Sequence, residues 1–165
     1  SIIEGDIILT FSPDGNSIPE LIPQLIKKME NGYDMVIVSR YLGSARSYDD
    51  DIVTRFGNWM FTTMINLFFG GSYTDALVIF RAYKKEMVEK LEISKKIPFL
   101  EWAQIKGILV SWEPQLSIRC AKKRLKYAEI PGDEPARIYG KRKIQPFKSG
   151  SVMLAQIIYE IFCWR

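Results

Sequence analysis

The run Gly5-Asp6-Ile7-Ile8-Leu9-Thr10-Phe11-Ser12-Pro13-Asp14-Gly15-Asn16, followed by Ser17-Ile18-Pro19-Glu20, constrains the fold more than any other part of the chain. Residues 7–11 are mostly β-branched or apolar and bounded by turn formers, the pattern of a buried strand. Pro-Asp-Gly-Asn then makes a turn. Pro19 opens a helix over 19–31, in which Leu21, Ile22, Leu25, Ile26 and Met29 recur at helical spacing and Asn31-Gly32 ends the run. Residues 34–39, DMVIVS, read as a second buried strand. Strand, helix and strand on short links predict a βαβ unit and a mostly parallel sheet. Asp14 then falls at the carboxyl end of a buried strand, where open α/β sheets hold ligands.

The rest of the chain continues the alternation. A polar loop over 40–51 leads to a strongly apolar helix over 53–69, closed by Gly70-Gly71. A strand is expected over 77–83 and a short helix over 84–91. Helices follow over 99–106 and 113–122, with Pro114 in the first turn of the second. Residues 125–130 read as a strand, 131–150 as a basic loop, and 151–164 as a final amphipathic helix. No repeat or linker divides the 165 residues, which suffice for one domain with a core. The predicted fold class is α/β, a mostly parallel sheet with helices on both faces.

Composition excludes some chemistry. The chain has no histidine, and Cys120 and Cys163 form no C-x-x-C pair, which argues against His-based triads and zinc sites. Two isolated cysteines fit a reducing compartment. The net charge of +4 suits an anionic partner or simple solubility. Nucleic acid is not expected, because no basic face is interleaved with aromatics. The apolar stretches 59–69 and 152–164 fall short of the ~20 residues that cross a bilayer.

Several positions can carry chemistry, each with a plainer alternative. Asp14 can hold Mg²⁺ or Mn²⁺, with Asn16 adding a carbonyl, or it can simply make the turn. Arg40 ends the second strand, where it can clamp a phosphate or pair with an acid. Asp49-Asp50-Asp51 reads as a solvated loop. Arg55 lies at the start of the long helix and can reinforce an anion site. Asp75 precedes the strand that carries Arg81; it can orient or deprotonate an acceptor, or cap a turn. Arg137, Lys141, Arg142 and Lys143 can close over a diphosphate or form a solvated face. The last helix can lie on a membrane surface or pack on a partner.

In order along the chain, five blocks resemble family 2 glycosyltransferases of the dolichyl- or polyprenyl-phosphate sugar synthase type. GDIILTFSPDGNSIPELIPQLI is similar to that family's strand, acidic metal motif and helix, and GYDMVIVSRYLG to its next strand with a Ser-Arg pair. The segment from Arg55 through Asn66 to Gly70-Gly71 resembles its acceptor helix, and YTDALVIFRAYKKEM its Asp-then-Phe-Arg strand. WEPQLSIRCAKKRLKYAEIPGDEPARIYGKRK resembles its helix, strand and final phosphate-closing loop.

The resemblance implies inverting transfer of a sugar from a nucleotide-diphosphate sugar to a lipid phosphate, by a cytoplasmic enzyme peripheral at the membrane. Asp14 and Asn16 would hold Mg²⁺ or Mn²⁺. Arg137 and Lys143 would cover the donor diphosphate. Arg40, Arg55 and Arg81 would seat the acceptor phosphate, and Asp75 would act in catalysis. Two departures stand out. Where the family usually has Asp-x-Asp, the first acid is Ser12. The family's N-terminal half, with its base pocket, has no counterpart, so residues 1–165 are expected to be a truncated catalytic domain with a partial glycosyltransferase A fold lacking its first strands. An oligomeric or marginally stable protein is then expected, because a sheet cut there exposes an apolar edge. The alternative is a non-catalytic remnant, or a module that binds phosphate or lipid.

Overall fold

A computed structural model describes residues 5–12, 14–138 and 145–164. Four strands, β1 (Ile7–Thr10), β2 (Met35–Ser39), β3 (Arg81–Lys84) and β4 (Tyr127–Pro131), form one sheet in the order β1-β3-β2-β4. Six helices accompany them: α1 (Ile22–Glu30), α2 (Ile52–Phe69), α3 (Glu86–Lys90), α4 (Pro98–Ile105), α5 (Glu113–Lys122) and α6 (Pro146–Phe162). A 3₁₀ turn over Pro19–Leu21 leads into α1.

The α/β class holds, but the sheet is mixed. β2 and β4 pair in parallel, while β3 lies antiparallel between β1 and β2, with Arg81 opposite both Thr10 and Ile37. The predicted βαβ unit exists in direction, yet its two strands do not touch. The reason lies before β3. Thr74 and Asp75 bond to Ser39 and Arg40 at the carboxyl end of β2, so the chain enters β3 from that end and must run back. β3 also starts four residues later than predicted. The Arg81 guanidinium takes the carbonyls of Ala76 and Val78 at 3.2 and 2.9 Å, curling residues 76–80 around itself.

α2 shows how local signals set an element. Asp51 caps it, its carboxylate accepting from the Thr54 amide at 2.8 Å. Gly70 ends it in the left-handed region at φ 73°, where a side chain would be strained. α1 buries Leu25 and Met29 against β2 and β3. Arg81 and Tyr83 share the other face of β3. Arg81 bonds to the Ser117 hydroxyl on α5 at 3.0 Å, and Tyr83 rests against Trp112 just before it. Every residue of β2 is buried, as its continuous apolar run requires.

Candidate active site

The carboxyl ends of β1, β2 and β4 and the approach to β3 share one edge of the sheet, and four loops meet there. β4 continues through Gly132, where a Cβ would lie 2.3 Å from Val38 Cγ1, so only glycine lets the chain pass. The loop beyond it reaches the Asp14 turn, and the Ile138 amide donates to the Asp14 carbonyl at 3.2 Å. Gly15, at φ 78°, allows that contact, since a Cβ there would meet Ile138 at 2.8 Å.

Arg40 is the hub. Its Nε and Nη2 donate to Asp75 at 2.6 and 3.0 Å, and Nη1 donates to Glu134 at 3.1 Å. Asp50 stands 3.6 Å from Nη1, and Asn58 Oδ1 accepts from Nη2 at 3.5 Å. Burial works against the charge of Arg40, but Asp75 first, then Glu134 and Asp50, outweigh it and raise its pKa well above the ordinary arginine value. Asp75 is wholly buried. A carboxylate from β4 holds its loop: Glu129 accepts the amides of Thr74 and Asp75 and the Thr74 hydroxyl at 2.9–3.0 Å. Burial raises the Glu129 pKa, and these hydrogen bonds only partly offset it.

A second cation closes the outer side. Arg137 Nη1 donates to Asp14 at 3.3 Å and Nη2 to Asp49 at 2.9 Å. Its hydrogen bonds to Asp49 come first in raising its pKa, with the charges of Asp49, Asp14 and Glu134 adding. Asn16, two residues after Asp14, is buried. Its Nδ2 donates to Glu134 at 3.2 Å, while its Oδ1 has no partner among the described residues.

These contacts sort the expected site residues. Asp14 and Arg137 are brought together, with Asn16 beside them. Lys143 lies outside the described residues. Arg55 is exposed, and among the described residues its guanidinium reaches the Ser47 carbonyl, at 3.5 Å. Three expectations change. Arg81 is fully buried and spent on interior carbonyls and the Ser117 hydroxyl, so it cannot meet an acceptor phosphate. Arg40 is enclosed by three carboxylates and leaves no fork for a phosphate. Asp75 gives both oxygens to Arg40 and so positions that residue. The acidic run is not a solvated loop either: Asp49 pairs with Arg137, Asp50 accepts from the Tyr41 hydroxyl, and Asp51 caps α2.

Glu129, Glu134 and Asn58 escaped sequence reasoning. An acid inside an apolar strand was the available signal for Glu129. Nothing in the local sequence marks Glu134 or Asn58. Beyond Asn58 an open groove of about 750 Å³ runs along α2, with Tyr41, Arg55, Phe56, Trp59 and Thr74 on its walls.

The described residues contain no group of three or more acidic or sulfur ligands placed to hold a metal. Asp14 and Asn16, the residues expected to hold a divalent cation, lie two positions apart in the same turn, with Asp14 paired to Arg137 and Asn16 Oδ1 without a partner among the described residues.

A mixed α/β sheet gathers acidic and basic groups at its carboxyl edge, the place where open α/β sheets hold ligands. Residues 1–92 match the family model for glycosyl transferase family 2, and the chain belongs to that family. It is 33% identical over 103 residues to the undecaprenyl-phosphate 4-deoxy-4-formamido-L-arabinose transferase of Yersinia enterocolitica, a match over 59% of this chain and 30% of that protein. The Photorhabdus laumondii protein of the same name is 32% identical over 102 residues, with the same coverage. The dolichyl-phosphate hexose transferase of Haloferax volcanii is 24% identical over 152 residues, 92% of this chain and 60% of that one. The chain thus spans about 30% of the length of the first two relatives.

Proposed function

We propose that the protein transfers a sugar from a nucleotide-diphosphate sugar to a polyprenyl or dolichyl phosphate, at the cytoplasmic surface of a membrane. The observation that carries this is the contact of Asp14 with Arg137 at the sheet edge that also bears the α2 groove. Asp14 and Asn16 would hold Mg²⁺ or Mn²⁺, and Arg137 would lie over the donor diphosphate, with Lys143 assigned to it from the sequence. When bound, the cation would offset charge on the leaving diphosphate. Arg55 at the groove would take the acceptor phosphate, with Phe56 and Trp59 beside its isoprenoid chain.

In the reaction, a phosphate oxygen attacks the anomeric carbon as the bond to the nucleoside diphosphate breaks, inverting that carbon. A phosphate is already an anion at neutral pH, so no strong base is required. That agrees with Asp75 being buried on Arg40. Instead, Asp75 and Glu134 hold Arg40, which also reaches Asn58 on α2, while Glu134 ties in the loop that carries Asn16.

The test is calorimetric titration of the protein with Mn²⁺ plus GDP or UDP, wild type against Asp14→Ala. Metal-dependent binding that disappears in the variant supports the assignment. Equal binding by both proteins, or none by folded wild type, sinks the metal-diphosphate site. One observation favours a second reading, phosphate or lipid binding without turnover: with Ser12 in the usual acid's place, the turn over 12–17 supplies a single carboxylate.

A further inference from the structure

Glu134 joins three parts of the sheet edge. Its Oε2 accepts from Arg40 Nη1 at 3.1 Å and from the Ser47 hydroxyl, and its Oε1 accepts from Asn16 Nδ2 at 3.2 Å. Its backbone is held as well. Ser47 and Glu134 form a parallel bridge, in which the Glu134 amide donates to the Arg46 carbonyl at 2.9 Å and the Tyr48 amide donates to the Glu134 carbonyl at 2.8 Å. Main chain and carboxylate are thus both pinned.

An asparagine amide has two ends of opposite character: its oxygen accepts and its nitrogen donates. The neighbour that takes one end decides which end is left. A carboxylate only accepts, so Glu134 takes the nitrogen of Asn16 and leaves Oδ1. Asn58 shows the converse on the other side of Arg40. A guanidinium only donates, so Arg40 takes Oδ1 of Asn58 at 3.5 Å and leaves Nδ2. Both spare atoms are buried and without a partner among the described residues. Buried polar atoms are nearly always satisfied, so an unpartnered one at a ligand site marks a contact that a ligand completes. At Asn16 the atom left is an oxygen, which suits a cation, and hard divalent cations take oxygen ligands.

We infer that Glu134 is a positioning residue for the cation site. By holding Asn16 Nδ2 it turns the amide so that Oδ1, and not the NH₂ group, is offered to the cation. The inference rests on the proposed role of Asp14 and Asn16. The two ends of an amide are alike in shape, so without a fixed acceptor beside it the group can turn over and present its donor.

The experiment is a titration of the full chain with Mn²⁺ alone, followed by the electron paramagnetic resonance signal of the free ion. Glu134→Gln keeps the side chain's length and shape but can donate as well as accept, so it no longer selects one orientation of Asn16. Its Mn²⁺ affinity should fall about tenfold or more, the scale expected when an outer partner of a metal ligand is lost. Adding Asn16→Asp should restore most of that affinity, because the two oxygens of a carboxylate are equivalent when the group turns. Asn16→Asp in the wild-type background should gain much less, and the difference between the two gains is the coupling between the residues. Ser47→Ala removes another partner of Glu134 and should leave Mn²⁺ affinity near the wild-type value. Circular dichroism and urea curves check that each variant folds.

Unchanged uptake by Glu134→Gln overturns the inference, as does a folded wild type that takes up no Mn²⁺. An equal gain from Asn16→Asp in both backgrounds overturns it too, since added charge alone would then explain the rescue. A loss in Ser47→Ala as large as in Glu134→Gln does the same, because Glu134 would then act only by holding the loop. The titration with Mn²⁺ plus nucleotide separates this from the proposed function. Binding that Asp14→Ala abolishes keeps the metal-diphosphate site in place even where Glu134→Gln changes nothing, whereas its absence in wild type removes the site itself.

Discussion

Two arginines sit at the centres of two buried networks, and they are built differently. Arg119, on α5, faces one carboxylate, Glu160 of α6, at 2.7 Å. Its other donors go to the carbonyls of Leu91 and Glu92, and the Trp164 ring covers it at 4.7 Å. One ion pair sits at its centre, and packed side chains close the network. Arg40, at the sheet edge, faces three carboxylates, and its surroundings contain unpartnered polar atoms at Asn16 and Asn58. A matched pair is what a scaffold needs. A surplus of acid with spare donors and acceptors is what a site needs when a cation and a phosphate must still arrive.

Substitutions can break that contrast. The largest effect is expected from Glu160→Ala, which strands Arg119 without a counter-charge and unpins α6. The cost should be about 3–5 kcal/mol, measured as the shift of the urea midpoint. A loss below ~1 kcal/mol would mean the Arg119 network is no tighter than a surface pair. Glu134→Gln should cost only about 1 kcal/mol in the same titration, because Asp75 and Asp50 still neutralise Arg40. If it costs as much as Glu160→Ala, the Arg40 network holds no surplus.

The contrast sharpens with pH at Glu129. Its folded pKa is raised above 4.5 by burial, so its contribution to stability is full below 4.5 and is lost as pH rises through the folded value. The stability of wild type relative to Glu129→Gln should therefore fall between pH 4 and pH 7 in paired denaturation curves. A difference that grows over that range would reverse the sign assigned to burial. The smallest stability effect is expected at Asp14, whose side chain is 42% exposed. Asp14→Ala should change stability by no more than about 0.5 kcal/mol while removing metal-dependent nucleotide binding. A large loss of stability there would make Asp14 a structural partner of Arg137.

Much of this was legible residue by residue. α5 runs over Glu113–Lys122 as its pattern predicts, and α2 stops at the Gly70 signal, though its Asp51 cap was read as part of a solvated loop. The strand of residues 34–39 appears as β2, and the Asp14 turn follows β1. These features depend on neighbours within a few positions, so the chain states them directly. The antiparallel insertion of β3 was not legible, because it follows from hydrogen bonds between Thr74–Asp75 and Ser39–Arg40, some 35 residues apart.

The sequence by itself therefore determined the class of fold, the elements and the turn that presents Asp14, since propensity, periodicity and turn chemistry are local. Only the tertiary structure decided which charges meet. It turned Arg81 inward, spent Asp75 on Arg40, and brought Glu134 to Asn16 across 118 positions and Arg137 to Asp14 across 123. Coulomb attraction and desolvation act through distance in space, and no local pattern along a chain records that distance.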